Sequence, residues 1–260
     1  DLFCGIGGLS NGFYQEGFNV IAGYDTDMSC KYAYETNTGG KFYYRDVKTI
    51  SGDEINKLYS QKKNVIKVLA GCAPCQPFSS YAFKNKNKDK DKYNLLYEFG
   101  RLVKEVHPDI VTMENVPAIA SFKLKSVLAD FVEVLQNEGY DIKYKVVYCP
   151  DYGIPQTRNR CFMVSLLGDY SYSFPPKQEL KIKLKDLLED NVDEKYYLSE
   201  KLIKCFMSDA KMGDITRKDR FLQNMNRNNQ DIANSITTLN GQRVTDTFIS
   251  QALDGSRKGD

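Results

Sequence analysis

Two prolines bracket a cysteine in Gly71-Cys72-Ala73-Pro74-Cys75-Gln76-Pro77-Phe78-Ser79-Ser80, directly after an apolar run at 65–70. Pyrrolidine rings on both sides fix the backbone and present the Cys75 sulfur rigidly at a strand's end. A cysteine serving only as core more often lies within the apolar run itself. Nucleophilic use requires thiolate character, which nearby positive charge or a helix N-terminus supplies. Further along, Met113-Glu114-Asn115-Val116-Pro117 closes a second apolar strand, where a glutamate is either a solvated cap or a positioned acid. In Gln156-Thr157-Arg158-Asn159-Arg160, strand alternation puts Arg158 and Arg160 on one side. Paired arginines are usually solvated or salt-bridged, but the guanidinium is also the natural clamp for a phosphate or an activated base.

A glycine turn, Gly5-Ile6-Gly7-Gly8, stands between a strand end and a helix, where backbone N–H groups can approach a ligand closely. Asp25 ends the next strand, about where a carboxylate accepts ribose hydroxyls. On spacing alone the pair suits a dinucleotide, a flavin or S-adenosyl-L-methionine (AdoMet), and a purely structural tight turn is the plainer alternative. The G-x-G-x-x-G pattern fails, because position 10 is Ser10 and the next glycine is Gly12.

The elements that must position these residues alternate. Strands are expected at 19–25, 42–47, 65–70, 109–113, 141–148 and 161–166. Helices are expected at 9–16, 28–37, 95–106 and 124–138, the last stopped by Gly139. Leu95, Phe99, Leu102, Val103 and Val106 share one helical face. Such alternation indicates an α/β fold, a largely parallel sheet covered by helices on both faces, with ligands at the carboxyl ends of the strands. Each motif above falls at such an end. The sequence opens almost on the glycine turn, so a few further residues of strand are expected upstream. Beyond about residue 168 the alternation gives way to Pro175-Pro176, a lysine-rich stretch and a polar tail, read as a second, irregular domain. The run 84–92, lysine alternating with Asn and Asp, reads as a loop.

Composition sets bounds on the chemistry. With 36 basic and 34 acidic residues, net charge is +2, which neither demands nor excludes nucleic acid. No apolar run approaches the roughly 18 residues of a membrane span, and no secretory leader is evident, so a cytoplasmic protein is expected. Seven cysteines at irregular spacings do not make a disulfide framework. The Cys72–Cys75 pair lacks the second ligand pair of a zinc site, so no metal is expected. His107 is the single histidine and precedes Pro108 in a connection, so a cysteine–histidine pair has little to draw on.

Taken in order, Asp1 to Gly8, Pro74-Cys75-Gln76, Glu114-Asn115-Val116 and Gln156-x-Arg158-x-Arg160 resemble the DNA (cytosine-5)-methyltransferase family of the bacterial restriction-modification type, continuously over about residues 1–168. The resemblance implies an AdoMet-dependent, Rossmann-like methyltransferase sheet (1–168) and a smaller irregular target-recognition domain (169–260). It implies that Cys75 attacks C6 of a flipped cytosine and that Glu114 hydrogen-bonds and protonates N3. Asn115 holds the loop, and Arg160 with Arg158 contacts the O2 side of the base or helps the thiolate form. Phe3, Gly5, Ile6, Gly7 and Gly8 line the methionine end of AdoMet. Asp25 takes the ribose hydroxyls, Asp46 and Val47 meet the adenine edge, and Pro74 and Leu95 lie beside the cofactor. Gln76, Ser79 and, in the Thr-Leu core of Ser235 to Gly241, Thr238 contact DNA. The implied partner is double-stranded DNA and the implied state a monomer, without membrane or metal.

The sequence departs from the family where a tryptophan often follows the ribose acid: here Thr26 stands, and the chain has no tryptophan. Lys92-Tyr93-Asn94 replaces the usual Arg-Gly entry before Leu95. The family's last two motifs are expected beyond Asp260, so the sequence reads as a fragment. Three rival readings are a tRNA cytosine methyltransferase on the same scaffold, a silent DNA-binding paralogue and a nicotinamide oxidoreductase. Phe78-Ser79 and a sizeable variable domain favour DNA over tRNA. Intact Cys75 and Glu114 argue against the silent copy, and the failed glycine spacing against the oxidoreductase.

Overall fold

The computed structural model describes residues 1–59, 64–74, 90–121, 127–189, 193, 197–228 and 232–235. Contacts divide the chain into two units, Asp1–Val147 with Arg160–Pro175, and Tyr148–Asn159 with Pro176–Asp260.

The first unit runs α1 (Gly8–Gln15), β1 (Ala22–Asp25), α2 (Lys31–Thr38), β2 (Lys41–Tyr44), α3 (Gly52–Asn56), β3 (Val68–Gly71), α4 (Lys90–Val106), β4 (Ile110–Asn115), α5 (Val127–Asn137) and β5 (Tyr140–Tyr148). After β6 (Gln156–Thr157), it is completed by β7 (Asn159–Leu167). β1 pairs with β2 and β3 with β4, both parallel, and Leu2 forms parallel bridges to Tyr24 and to Gly71. The order is therefore β2-β1-Leu2-β3-β4-β7-β5. β7 runs antiparallel to β4, with Asn115 opposite Cys161 and Glu114 opposite Phe162. The sheet is thus mixed. The reversal brings the amino end of β7 to the rim where β3 and β4 have their carboxyl ends.

Central strands are buried on both faces: Val111, Met113 and Met163 are fully buried on one, and Ala70, Thr112 and Leu166 are buried on the other. Leu96, Phe99, Leu102, Val103 and Val106 give α4 its buried stripe, and the Phe99 and Phe131 rings meet at 5.2 Å where α4 packs on α5. Leu96, rather than Leu95, is the deeper residue at the start of this face; Leu95 is half-buried. Gly139, at φ 87, releases the chain from α5 into β5.

Several boundaries differ from those expected. The strand at 42–47 stops at Tyr44, because Asp46 Oδ1 accepts the Lys48 N–H and opens a 3₁₀ turn over Val47–Thr49. The strand at 65–70 starts at Val68, leaving Val65 and Ile66 exposed. Residues 90–92, expected in a loop, begin α4. The short helix α3 was not anticipated; its signal is Ser51 with Glu54 three residues on, whose N–H the Ser51 hydroxyl accepts.

The second unit contains α6 (Glu200–Phe206), a hairpin of β8 (Lys211–Met212) with β9 (Ile215–Thr216), α7 (Arg217–Asn228) and β10 (Ala233–Asn234). Phe206 and Phe221 form its small core, with Leu198 and Leu202 against them. Thr216 and Asp219 cap the start of α7 reciprocally. Residues 148–159, read from sequence with the first domain, group here because β6 pairs with β10 and the Asp151 carbonyl accepts the Gln178 N–H.

Burial pushes the Cys4 thiol from its ordinary 9.0, and the Tyr24 and Tyr34 phenols from 10.0, up to about 12. Unfolding in alkali therefore releases protons that the folded chain retains, so their contribution is complete below about pH 9 and is lost as pH rises toward about 12. The urea midpoint is expected to fall continuously across that window. A midpoint that stays flat to about pH 11 would show that these groups are not held out of water.

Candidate active site

The glycine turn owes its shape to backbone conformations that side chains disfavour. Gly5 and Gly7 have φ of 50 and 89, and Phe3 also lies in the left-handed region at 57. A Cβ on Gly7 would meet Thr38 Cγ2 and Tyr34 Cδ2 at 2.9 Å, so the turn lies directly on α2. On its other side a Cβ at Gly5 or Gly8 would meet nothing within 4 Å, and Ile6 at the apex is 63% exposed. Asp25 fastens the turn: Oδ2 accepts the Gly5 N–H at 2.8 Å, and Oδ1 the Asp27 N–H at 2.9 Å. A carboxylate offers about four acceptor positions, so Asp25 retains capacity for a vicinal diol while fixing the loop beside it. An open glycine cradle, a helix N-terminus and a half-buried carboxylate suit the methionine and ribose ends of AdoMet.

Asp46 is exposed and its Oδ1 caps the following turn. The Val47 side chain is 3% exposed and belongs to the core, so only its backbone is left to face a ligand. Pro74 and Leu95 are half-buried. Thr26, at the position of the missing tryptophan, is exposed.

Across the rim, Arg160 Nε and Glu114 Oε1 form an ion pair of 2.7 Å, each side chain 22% exposed. The antiparallel register of β4 and β7 produces this pair, since it brings the start of β7 beside the end of β4. Asn115, 3% exposed, works as a clasp: Nδ2 donates to the Ala73 carbonyl at 3.1 Å, and Oδ1 accepts the Val116 N–H at 2.9 Å. The backbone two residues before Cys75 is thereby tied to the strand end that carries Glu114. Cys72 was singled out in the sequence only as half of a C-x-x-C. Its thiol lies against Glu114, and burial first, then the Glu114 charge, pushes it up to about 12, so it stays protonated at neutral pH. Arg158 lies in the second unit and its carbonyl accepts the Cys149 N–H. Cys75, Gln76, Ser79 and Thr238 lie outside the described residues. Among those described, no three His, Cys, Asp or Glu side chains gather as metal ligands, and no helix is long and apolar enough to cross a membrane.

The fold and this rim define a class, and comparison with known proteins agrees. The family model for C-5 cytosine-specific DNA methylase matches residues 1–256, and the chain belongs to that family. Among its relatives, Type II methylase M.HgiDII of Herpetosiphon aurantiacus is 45% identical over 176 residues, covering 68% of this chain and 49% of that protein. Type II methyltransferase M.DdeI of Desulfomicrobium norvegicum is 28% identical over 260 residues, covering 96% of this chain and 60% of the relative. A prophage-encoded E. coli protein assigned as a DNA modification methyltransferase has a crystal structure that superposes with a TM-score of 0.62 at 29% identity, over 74% of this chain and 55% of that one. The chain spans about half the length of the curated relatives it matches.

Replacing Asn115 by alanine strands the Ala73 carbonyl and the Val116 N–H. The free energy of unfolding, measured in urea, is expected to drop by about 1–3 kcal/mol. No loss in that measurement would mean that the clasp carries no strain-free tie between the two strand ends.

Proposed function

We propose that this protein transfers a methyl group from AdoMet to C5 of a cytosine flipped out of duplex DNA, as the methylase of a restriction-modification pair acting in the cytoplasm. The observation that carries the reading is the rim itself: the Glu114–Arg160 ion pair and the Asn115 clasp on the Cys75 segment share one sheet edge with the glycine turn and Asp25.

Bound AdoMet supplies an electrophilic methyl on a sulfonium. Phe3, Gly5, Ile6, Gly7 and Gly8 hold its methionine end, Asp25 its ribose, and Asp46 with the Val47 backbone its adenine, with Pro74 and Leu95 alongside. Cytosine C5 is a weak nucleophile, so the Cys75 thiolate first adds to C6 and shifts electron density toward C5. Charge then develops at N3, where Glu114 hydrogen-bonds and delivers a proton. Arg160 orients that carboxylate and, with Arg158, serves the O2 side of the base. C5 then takes the methyl as its bond to the sulfonium sulfur breaks, leaving S-adenosylhomocysteine. N3 returns its proton to Glu114, a base removes H5, the C6–S bond breaks and Cys75 leaves as thiolate. Gln76, Ser79 and Thr238 contact the DNA, and the second unit serves target recognition by a monomer.

Duplex DNA carrying 5-fluorocytosine at the methylated site is expected to trap the protein covalently when AdoMet is present, because fluorine cannot leave as a proton. Cys75→Ala should abolish the adduct while DNA affinity changes little, and Glu114→Gln should slow methylation by about 10²-fold or more. A covalent adduct that survives Cys75→Ala overturns the assignment. A tRNA substrate assayed alongside should remain unmodified.

A further inference from the structure

The 3₁₀ turn that follows Asp46 is held by Arg45, whose Nη2 donates to the Thr49 carbonyl at 3.0 Å, and by a side chain on α4. Arg101 Nη2 donates to the Val47 carbonyl at 3.1 Å and to the Ile50 carbonyl at 3.0 Å, gripping the turn at both ends. The guanidinium is aimed by its own helix: Nε meets Glu98 Oε2 at 2.7 Å and Nη1 meets Glu105 Oε1 at 2.8 Å. The other Glu105 oxygen accepts the Gly52 N–H at 2.6 Å, and the Glu105 carbonyl accepts from Asn56. Contact here is close enough that a Cβ on Gly52 would sit 2.3 Å from Glu105 Cβ. Within the turn, Asp46 Oδ1 accepts the Lys48 N–H and its carbonyl the Thr49 hydroxyl at 2.7 Å. Residues 46–52 thus form a self-braced segment, and α4 fixes its place.

We propose that Arg101 is a positioning residue for adenine recognition, holding the 46–50 turn so that the exposed Asp46 carboxylate meets the exocyclic amine of the bound cofactor. The proposal rests on the reading above that Asp46 serves the adenine edge. Arg101 itself touches no ligand; it acts through two carbonyls. Only a planar fork can serve two carbonyls and two carboxylates at once, so lysine, a point donor on a flexible stem, replaces it poorly. The Glu98-x-x-Arg101-x-x-x-Glu105 spacing puts the three charges on one helical face.

The test compares binding of S-adenosylhomocysteine with that of S-inosylhomocysteine, which lacks the amine, by calorimetric titration. Wild-type protein is expected to prefer the adenine ligand by about tenfold or more, the scale of one well-placed hydrogen bond to a charged group. Arg101→Met should reduce the preference to within about threefold, and Arg101→Lys should recover it only in part. General destabilisation lowers both affinities together and leaves the ratio unmoved, so a ratio that falls in variants still showing a cooperative thermal transition supports the proposal. Should Arg101→Met not fold, the ratio in Arg101→Lys decides. If Asp46→Ala loses the preference while the Arg101 variants keep it, the positioning role is overturned and the adenine reading stands. If wild-type protein binds both ligands equally, the adenine reading fails and takes this proposal with it, leaving the covalent-adduct test of Cys75 untouched.

Discussion

Strand β7 lies against β4 in the opposite direction, and the charge pairing at the rim depends on that reversal. In a wholly parallel sheet the amino end of β7, with Arg160, would lie at the edge remote from the end of β4. Because the strand is inverted, its first residues reach the end of β4, and a guanidinium comes within 2.7 Å of the Glu114 carboxylate. Backbone hydrogen bonds fix this register more firmly than side chains alone could, since slipping by one residue would turn every buried side chain of β7 to the other face. The ion pair is only partly exposed, so solvent screens it less than a surface pair.

Two kinds of construction meet at the rim. The cofactor side is built mainly from backbone: left-handed glycines, a helix N-terminus and a carboxylate that accepts main-chain N–H groups. The proposed reaction side is built from side chains whose places depend on neighbouring strands, Glu114 on β4 and Arg160 on β7, with Asn115 joining the end of β4 to the chain after β3. Backbone construction tolerates change in the surrounding residues so long as the glycines remain. Side-chain construction tolerates almost none in register.

That difference explains what could be read from the sequence. The glycine turn, Asp25 and the ends of β3 and β4 were legible because residue type and local spacing define them. The direction of β7 was not, since alternation of apolar residues is the same in either direction. Nor was the inward turn of Val47: the strand pattern ran through Tyr44 to Val47, and only the Asp46 side chain bonding to Lys48 N–H breaks it. The pairing of β6 with β10 joins residues about 77 apart in sequence, such as Gln156 and Ala233, and no local signal announces it. Cys72 stands in the sequence as a thiol near another thiol, whereas the charge that acts on it most, Glu114, lies on an adjacent strand.

His107 illustrates how topology also removes a group from the chemistry. It follows the last residue of α4, and its Nε2 lies 2.9 Å from a Glu138 carboxylate oxygen on the stretch leaving α5. β4 begins only three residues later and carries the chain away from it, so the imidazole stands beyond one end of the strand and Glu114 near the other, with about 13 Å of strand between Ile110 and Glu114. Within this chain, then, the single imidazole is stationed at the opposite edge of the sheet, beside a carboxylate of its own. Strand order thus keeps the one histidine away from the Glu114–Arg160 pair.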